Sequence, residues 1–307
     1  MERYYSFPAY CKEKYGRKLY RAALDAHMTC PNRDGKSGTR GCIFCDEGGS
    51  GDFAISYEGQ QLTKADLIYN HQDAPEGDYI AYFQSYTNTY APVERLRFLF
   101  ESAMEDPMFA GISIATRPDC LGPEVIALLD DLHAKYPDKI LWVELGLQTM
   151  HERTAAFIRR GYPLSVFDEA VKNLHAIGAE VIAHVIIGLP NEDENMILET
   201  IDHLNEVGID GVKLQLLHYL RGTDLGRLYL ASPDSFHVLS IEEYVSIIAD
   251  CIARLDPSIV VNRLTGDGAA DLLLAPLWSK DKRNVLNQIN HKLKEENITQ
   301  GCRRKKA

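Results

Sequence analysis

The chain alternates short apolar runs with longer stretches in which apolar residues recur at helical spacing. The runs Leu19–Asp25, Tyr79–Gln84, Gly111–Ala115, Ile140–Leu147, Val181–Ile187 and Gly211–Leu217 read as strands. Several are apolar throughout, as in "VIAHVIIG", the pattern of strands covered on both faces. Between them, Pro92–Glu105 puts Val93, Leu96, Leu99, Phe100 and Met104 on one helical face. Pro123–Lys135 does so with Val125, Ile126, Leu128, Leu129 and Leu132, and Pro123 suits a first helical turn. Ser165–Ile177 opens on a serine suited to an N-cap and stops before Gly178, and Asp193–Val207 stops before Gly208. Strand centres recur at the size of a βα repeat. Six such units predict an α/β fold: a parallel sheet flanked by helices, rolled into a barrel or open and doubly wound.

After Leu217 the rhythm changes. A polar loop around Arg221–Asp224 is followed by a helix near Ile241–Leu255, a short strand Ile259–Leu264, the turn Thr265-Gly266-Asp267-Gly268 and a last helix, Asp281–Glu296. The expected organisation is a core over residues 1–220 and an extension over 221–307 packed on it.

Composition narrows the class. The chain has 307 residues, 45% hydrophobic and 25% charged, which is ordinary for a globular protein. No apolar run reaches the roughly 18 residues of a membrane span. Met1–Phe7 lacks the apolar region of a signal peptide, so a cytoplasmic protein with reduced cysteines is expected. Net charge is −11, which argues against a surface that coats nucleic acid. From Trp278 to Ala307, however, nine basic and three acidic residues give +6, leaving −17 on the rest. An acidic body with a basic tail is the expectation.

Three of the seven cysteines cluster as Cys30, Cys42 and Cys45, a C-x11-C-x2-C arrangement after the first strand. Loops after strand C-termini form the active face of parallel α/β folds. The spacing admits three buried thiols, a zinc site completed by His27, or an iron–sulfur cluster on three cysteines with one iron open. It does not separate zinc from iron.

The wider sequence does. The segments "TCPNRDG", "GCIFC", "AYFQSYTNTY", "TRPDCL", "ELGLQT", "IRRGY", "AHVIIGLPNE", "GVKLQLLH" and "LLAPLW" span almost the whole chain. They resemble the radical S-adenosylmethionine (SAM) superfamily, and within it the YhcC/YtqA-type proteins, a branch similar to the catalytic subunit of elongator. The resemblance implies a partial (β/α)6 TIM-like barrel with a short C-terminal α/β extension. It implies a [4Fe–4S] cluster on Cys30, Cys42 and Cys45 whose open iron chelates SAM, and an external electron donor. Reductive cleavage of SAM would then give methionine and a 5′-deoxyadenosyl radical.

For SAM the resemblance implies contacts from Phe44 near the adenine, and from Gln84 and Ser85, which with Tyr86 stand where the family has Gly-Gly-Glu. It further implies Glu144, Gln148 and His184 near the ribose or methionyl group and Arg160 on the carboxylate, while the contact expected at Ala115 is either missing or supplied by Thr116 or Glu144. Glu144 and Gln148 are four apart, so one strand points both the same way. Candidate substrate-side groups are Lys213, Gln215, His218 and Tyr86, with Tyr90 beside them; Arg263 and the turn after it are a candidate lid. The branch implies modification of the wobble uridine of tRNA, carboxymethylaminomethyl towards aminomethyl, with the basic C-terminal segment meeting phosphates. The alternatives are the same chemistry on a protein side chain or small metabolite, and a zinc-stabilised RNA-binding adaptor.

Overall fold

The computed structural model describes residues 2–46, 48–49, 54–67, 76–266 and 270–304. Its main sheet has eight parallel strands: β1 (Leu19–Asp25), β2 (Ile55–Ser56), β3 (Asp78–Phe83), β4 (Phe109–Thr116), β5 (Ile140–Gln148), β6 (Glu180–Ile187), β7 (Gly211–Leu216) and, after a small hairpin strand β8 (Tyr219–Leu220), β9 (Val260–Arg263). Their spatial order is β2-β1-β3-β4-β5-β6-β7-β9. The six strands expected from sequence are the inner six. Two edge strands are added, and Val260–Arg263, read as part of the extension, joins the main sheet beside β7. A third short strand, β10 (Leu273–Ala275), pairs with β8.

The sheet is rolled. Neighbouring strands lie about 4.8 Å apart, so β1 and β9, six steps distant, would be about 29 Å apart in a flat sheet. Instead Arg21 on β1 donates to Asn262 on β9 at 2.8 Å. Lys213 on β7 likewise reaches the Tyr82 hydroxyl on β3 at 3.1 Å, four steps away. The backbone of Tyr5 completes the seam by accepting from Val261 at 2.8 Å.

Helices cover the outside: α1 (Phe7–Tyr15), α2 (Val93–Glu105), α3 (Pro123–Lys135), α4 (Glu152–Phe157), α5 (Leu164–Ala176), α6 (Glu194–Val207), α7 (Asp224–Ala231), α8 (Ile241–Arg254) and α9 (Lys282–Glu295). Asp193 caps α6 by accepting from Met196, and Gly208 ends it at φ 78°, where glycine carries no side-chain penalty. One cap differs from expectation. α5 starts at Leu164, so Ser165 lies inside the first turn, because the Glu152 carboxylate takes the Leu164 N–H at 2.6 Å. The segment after Thr223 is helix α7 rather than loop, capped by the Thr223 hydroxyl at 2.9 Å from the Gly226 N–H. No helix among the described residues is long and apolar enough to cross a membrane.

Inside the roll, side chains stack in layers. The floor is apolar: Leu19, Ile80, Ile140, Trp142, Ile182 and Val260, closed from below by Tyr10 and Cys11 of α1. Phe7 meets Trp142 edge-on at 5.6 Å. Trp142 is 1% exposed, and Trp142→Ala is expected to cost about 3–5 kcal/mol. Urea unfolding would measure it; a loss below about 1 kcal/mol would mean the floor does not hold the barrel.

Candidate functional site

The loop after β1 carries the cysteines to the open end of the barrel. Asn32, buried, organises it: its carbonyl accepts from Gly41 at 2.7 Å and its amide donates to Arg159 O at 2.7 Å and lies 3.5 Å from Cys42 Sγ. Arg33 donates to Cys45 Sγ and to Cys45 O, both at 3.3 Å, and stacks over the Tyr86 ring. Ile43 pins the loop from below, donating to Ile158 O and accepting from Leu225 N. Sequence reasoning passed over Asn32 and Arg33; the only signal was their place inside the cysteine loop.

Cys30, Cys42 and Cys45 are free thiols lining one cavity of about 880 Å³. Burial pushes the Cys42 thiol up to about 12, and burial likewise raises Cys45, with the Arg33 charge opposing. His27, the proposed fourth ligand for zinc, is turned away: its Nε2 meets Ser56 Oγ at 2.8 Å on the exposed side, and it is not part of the cavity wall. Among the described residues no three Cys, His, Asp or Glu side chains converge on a single-ion site.

Above the apolar floor lies a charged layer centred on Glu144, which is 1% exposed. Lys213 Nζ contacts Glu144 Oε2, where His184 Nε2 also sits at 2.7 Å. Glu144 Oε1 accepts from Ser113 Oγ at 2.9 Å and faces Arg21 at 3.5 Å. Burial works to raise the Glu144 carboxyl, but Lys213, His184 and Arg21 outweigh it and hold it well below the usual carboxylate range. Burial lowers Lys213 against the pull of Glu144, with Arg21 and Arg263 adding to the fall. His184 is lowered to about 4 by burial and then by Lys213, and His218 to about 4 by burial and then by Lys282.

Most other expected residues line the same cavity: Phe44, Gln84, Tyr86, Thr116, Gln148, Gln215 and His218, with Glu144, His184 and Lys213 at its base. Thr116 is bound to Thr89, hydroxyl to hydroxyl, at 2.6 Å. Gln148 and Glu144 both face the cavity, but β5 is not regular between them. The register shifts between Gly146 and Gln148, and Gln148 has φ 64°. The buried Gln148 Oε1 and His218 Nε2 have no hydrogen-bond partner among the described residues.

Other expected residues have surroundings that the sequence did not reveal. Arg160 lines the cavity, is 2% exposed, and donates to Tyr162 O, Leu147 O, Thr149 O and the Glu152 carboxylate. Its neighbourhood is a turn full of carbonyls, which the "RRGY" pattern did not reveal. Ser85 lies behind the cavity wall with its hydroxyl buried, and Tyr90 is likewise outside the wall. The basic tail is partly spent. Arg303 pairs with Asp250 and Arg304 with Asp256, while Lys305 and Lys306 lie outside the described residues. Of the candidate lid, Arg263 and Gly266 line the cavity, and Asp267 and Gly268 lie outside the described residues.

Two tests follow from the charged layer. Glu144→Gln leaves Lys213 and Arg21 buried against a neutral amide, so a loss of about 3–5 kcal/mol is expected in urea unfolding. His184 and His218 resist protonation down to about 4, whereas an unfolded histidine takes a proton near 6.5. The unfolded state therefore gains protons first, and stability falls as pH drops from about 6.5 to 4. His218→Gln should flatten that slope; an unchanged slope would rule the histidine out as its source.

The family model for the radical SAM superfamily matches residues 35–204, and that for the radical SAM C-terminal domain matches residues 209–295. YtqA of Bacillus subtilis is 42% identical over 302 residues, covering 98% of this chain and 92% of its own. YhcC of Escherichia coli is 31% identical over 289 residues, covering 93% and 90%. Among solved structures, the archaeal Elp3 of Methanocaldococcus infernus shares the fold with a TM-score of 0.61 at 16% identity, over 74% of this chain and 56% of that one.

Proposed function

The chain belongs to the radical SAM superfamily, whose enzymes bind a [4Fe–4S] cluster and SAM, and we propose that Cys30, Cys42 and Cys45 hold the cluster here, with SAM in the adjoining cavity. The observation that carries this is the shared wall: three free thiols from one loop face the same cavity as Gln148, whose buried acceptor has no partner among the described residues. The donor set fits the group. A cubane cluster presents separate corners to separate thiolates, so thiols spaced around a wall suit it, and three leave one iron open for a ligand. When bound, the two groups supply reductive cleavage of SAM to methionine and a 5′-deoxyadenosyl radical that removes a hydrogen atom from substrate.

The chain's own residues divide the remaining work. Arg33 and Arg117 are the cations lining the cavity that act on the thiols electrostatically. Arg117 carries Asp119 on one edge and stacks on Tyr162, so its position is fixed before any ligand arrives. Arg160 holds the backbone of the Leu147–Thr149 turn and thereby aims Gln148. Gly146 leaves the room into which the Gln148 amide folds, since a Cβ there would lie 2.8 Å from its Nε2. Phe44 offers an aromatic wall for the adenine, and Gln84, Thr116 and His184 polar edges for the ribose and methionyl groups. Lys213, Gln215, His218 and Tyr86 face the space left for substrate.

For the substrate, the reading is the wobble uridine of tRNA, its carboxymethylaminomethyl group converted towards aminomethyl. Similarity to the elongator branch supports it, as does the cationic rim of Arg263, Lys280 and Lys282. A second reading, a protein side chain or small metabolite, is favoured by the ion pairs that occupy Arg303 and Arg304.

Anaerobically reconstituted protein should be brown, hold about four irons, and form 5′-deoxyadenosine from SAM with dithionite as electron donor. Alanine at Cys30, Cys42 or Cys45 should abolish both. A colourless, zinc-loaded protein that forms none would overturn the radical reading. Unmodified wobble-uridine side chains after incubation with undermodified tRNA would reject the tRNA substrate and leave the second reading.

A further inference from the structure

Two of the three cysteine sulfurs meet a nitrogen donor from their own loop. Asn32 and Arg33 are consecutive in sequence, yet each serves a different thiol. Arg33 Nη2 lies 3.3 Å from Cys45 Sγ, and Asn32 Nδ2 lies 3.5 Å from Cys42 Sγ. The other partners of the Asn32 amide fix which way it points. Arg159 O at 2.7 Å and Arg160 O at 3.5 Å only accept, so the amide nitrogen faces them and the sulfur. Cys42 therefore has a neutral donor and Cys45 a charged one, which is the stronger kind.

Arg33 is held there by its surroundings. Its backbone N–H donates to Cys30 O at 2.8 Å, which sets where the side chain starts. The guanidinium lies over the Tyr86 ring, 5.3 Å from its centroid, and that ring packs on Gly49, where an added Cβ would be 2.5 Å from its Cδ1. The side chain also passes Gly41, where an added Cβ would be 3.1 Å from Nε. Gly41 has φ 72° and donates its N–H to Asn32 O at 2.7 Å, so one glycine makes room for one donor and anchors the other. Arg33 further donates to Cys45 O and Asp46 O. Those two bonds alone would clamp the loop backbone. The contact with Sγ adds something a clamp does not need, a permanent positive charge beside the sulfur that would bind iron.

We infer that Arg33 tunes the reduction potential of the cluster, acting through the sulfur of Cys45, with Asn32 working in the same sense at Cys42. The inference rests on the reading that Cys30, Cys42 and Cys45 hold a [4Fe–4S] group. The step concerned is the arrival of one electron from an external one-electron donor, in which no covalent bond forms or breaks. The reduced state carries one more negative charge than the oxidised state. An N–H donor and a cation at a cysteinyl sulfur stabilise that extra charge and so raise the potential. Arg33 takes the larger share, because its donor is charged and the Asn32 amide is neutral. The chain thus makes its cluster easier to reduce than the three thiolates alone would.

The test reads the cluster and not turnover. Reconstituted full-length protein, without SAM, is titrated with dithionite and redox mediators, and the reduced cluster is counted by electron paramagnetic resonance. Arg33→Met keeps most of the side-chain bulk and loses the charge and the donors. It should lower the reduced-to-oxidised ratio at a fixed potential by about tenfold or more, a midpoint about 59 mV more negative for one electron. Arg33→Lys restores the charge and should bring the midpoint most of the way back. An arginine that only clamps the loop would give another result: less iron bound in Arg33→Met, an unchanged midpoint in the loaded fraction, and no rescue by lysine. A second measurement needs no substitution to fold. Unsubstituted protein labelled with 15N-arginine should show an arginine nitrogen coupled to the reduced cluster in pulsed resonance spectra, and Arg33→Lys should lose that coupling. An unchanged midpoint, a more positive one, or no arginine coupling would each overturn the inference. Unsubstituted protein that holds no cluster of about four irons would reject the cluster reading itself, whereas a normal cluster indifferent to Arg33 rejects this inference alone.

Discussion

A single buried carboxylate sets the terms for the rest of the molecule. Glu144 sits inside the barrel with almost no solvent contact, and an ionised carboxylate there is tolerable only if opposite charge and hydrogen bonds surround it. Those partners come from four other strands: Arg21 from β1, Ser113 from β4, His184 from β6 and Lys213 from β7. The electrostatic demand of one residue thus fixes how the sheet must roll. It also divides the interior, with a dry aromatic floor below and a polar chamber above. The chamber has depth because the layer that closes it is charged instead of packed.

How far this could be read from the chain differed by element. The inner six strands and helices α2, α3, α6, α8 and α9 were legible because burial on both faces or on one leaves a period in the sequence. Helix α1 was not, since its buried residues, Tyr10 and Cys11, face the barrel floor from outside its wall instead of forming an amphipathic stripe over the sheet. β9 was visible as a strand but not as a neighbour of β7, because pairing partners leave no local mark. At the site, residue type was more legible than state. Glu144 and Lys213 were visible as polar groups in apolar strands, but not that each would meet the other across the barrel. For Arg160 the resemblance implies a carboxylate partner, and only tertiary structure reveals the three carbonyls it serves.

Charge shows the same limit. A net of −11 and a basic tail describe sums along the chain. Folding redistributes them: Arg303 and Arg304 of the tail pair with Asp250 and Asp256 at the surface, and cations from β7, β9 and the segment into α9 line the cavity.

The seam between β1 and β9 joins residues 241 positions apart. Contacts of such separation form late, because the loop they close must first lose its entropy. The cysteine loop follows the first strand, while the wall beside β9 comes from the last fifth of the chain. During synthesis the thiols therefore emerge before the strand that completes their chamber. The cavity thus has its first wall and its last from opposite ends of the translated chain.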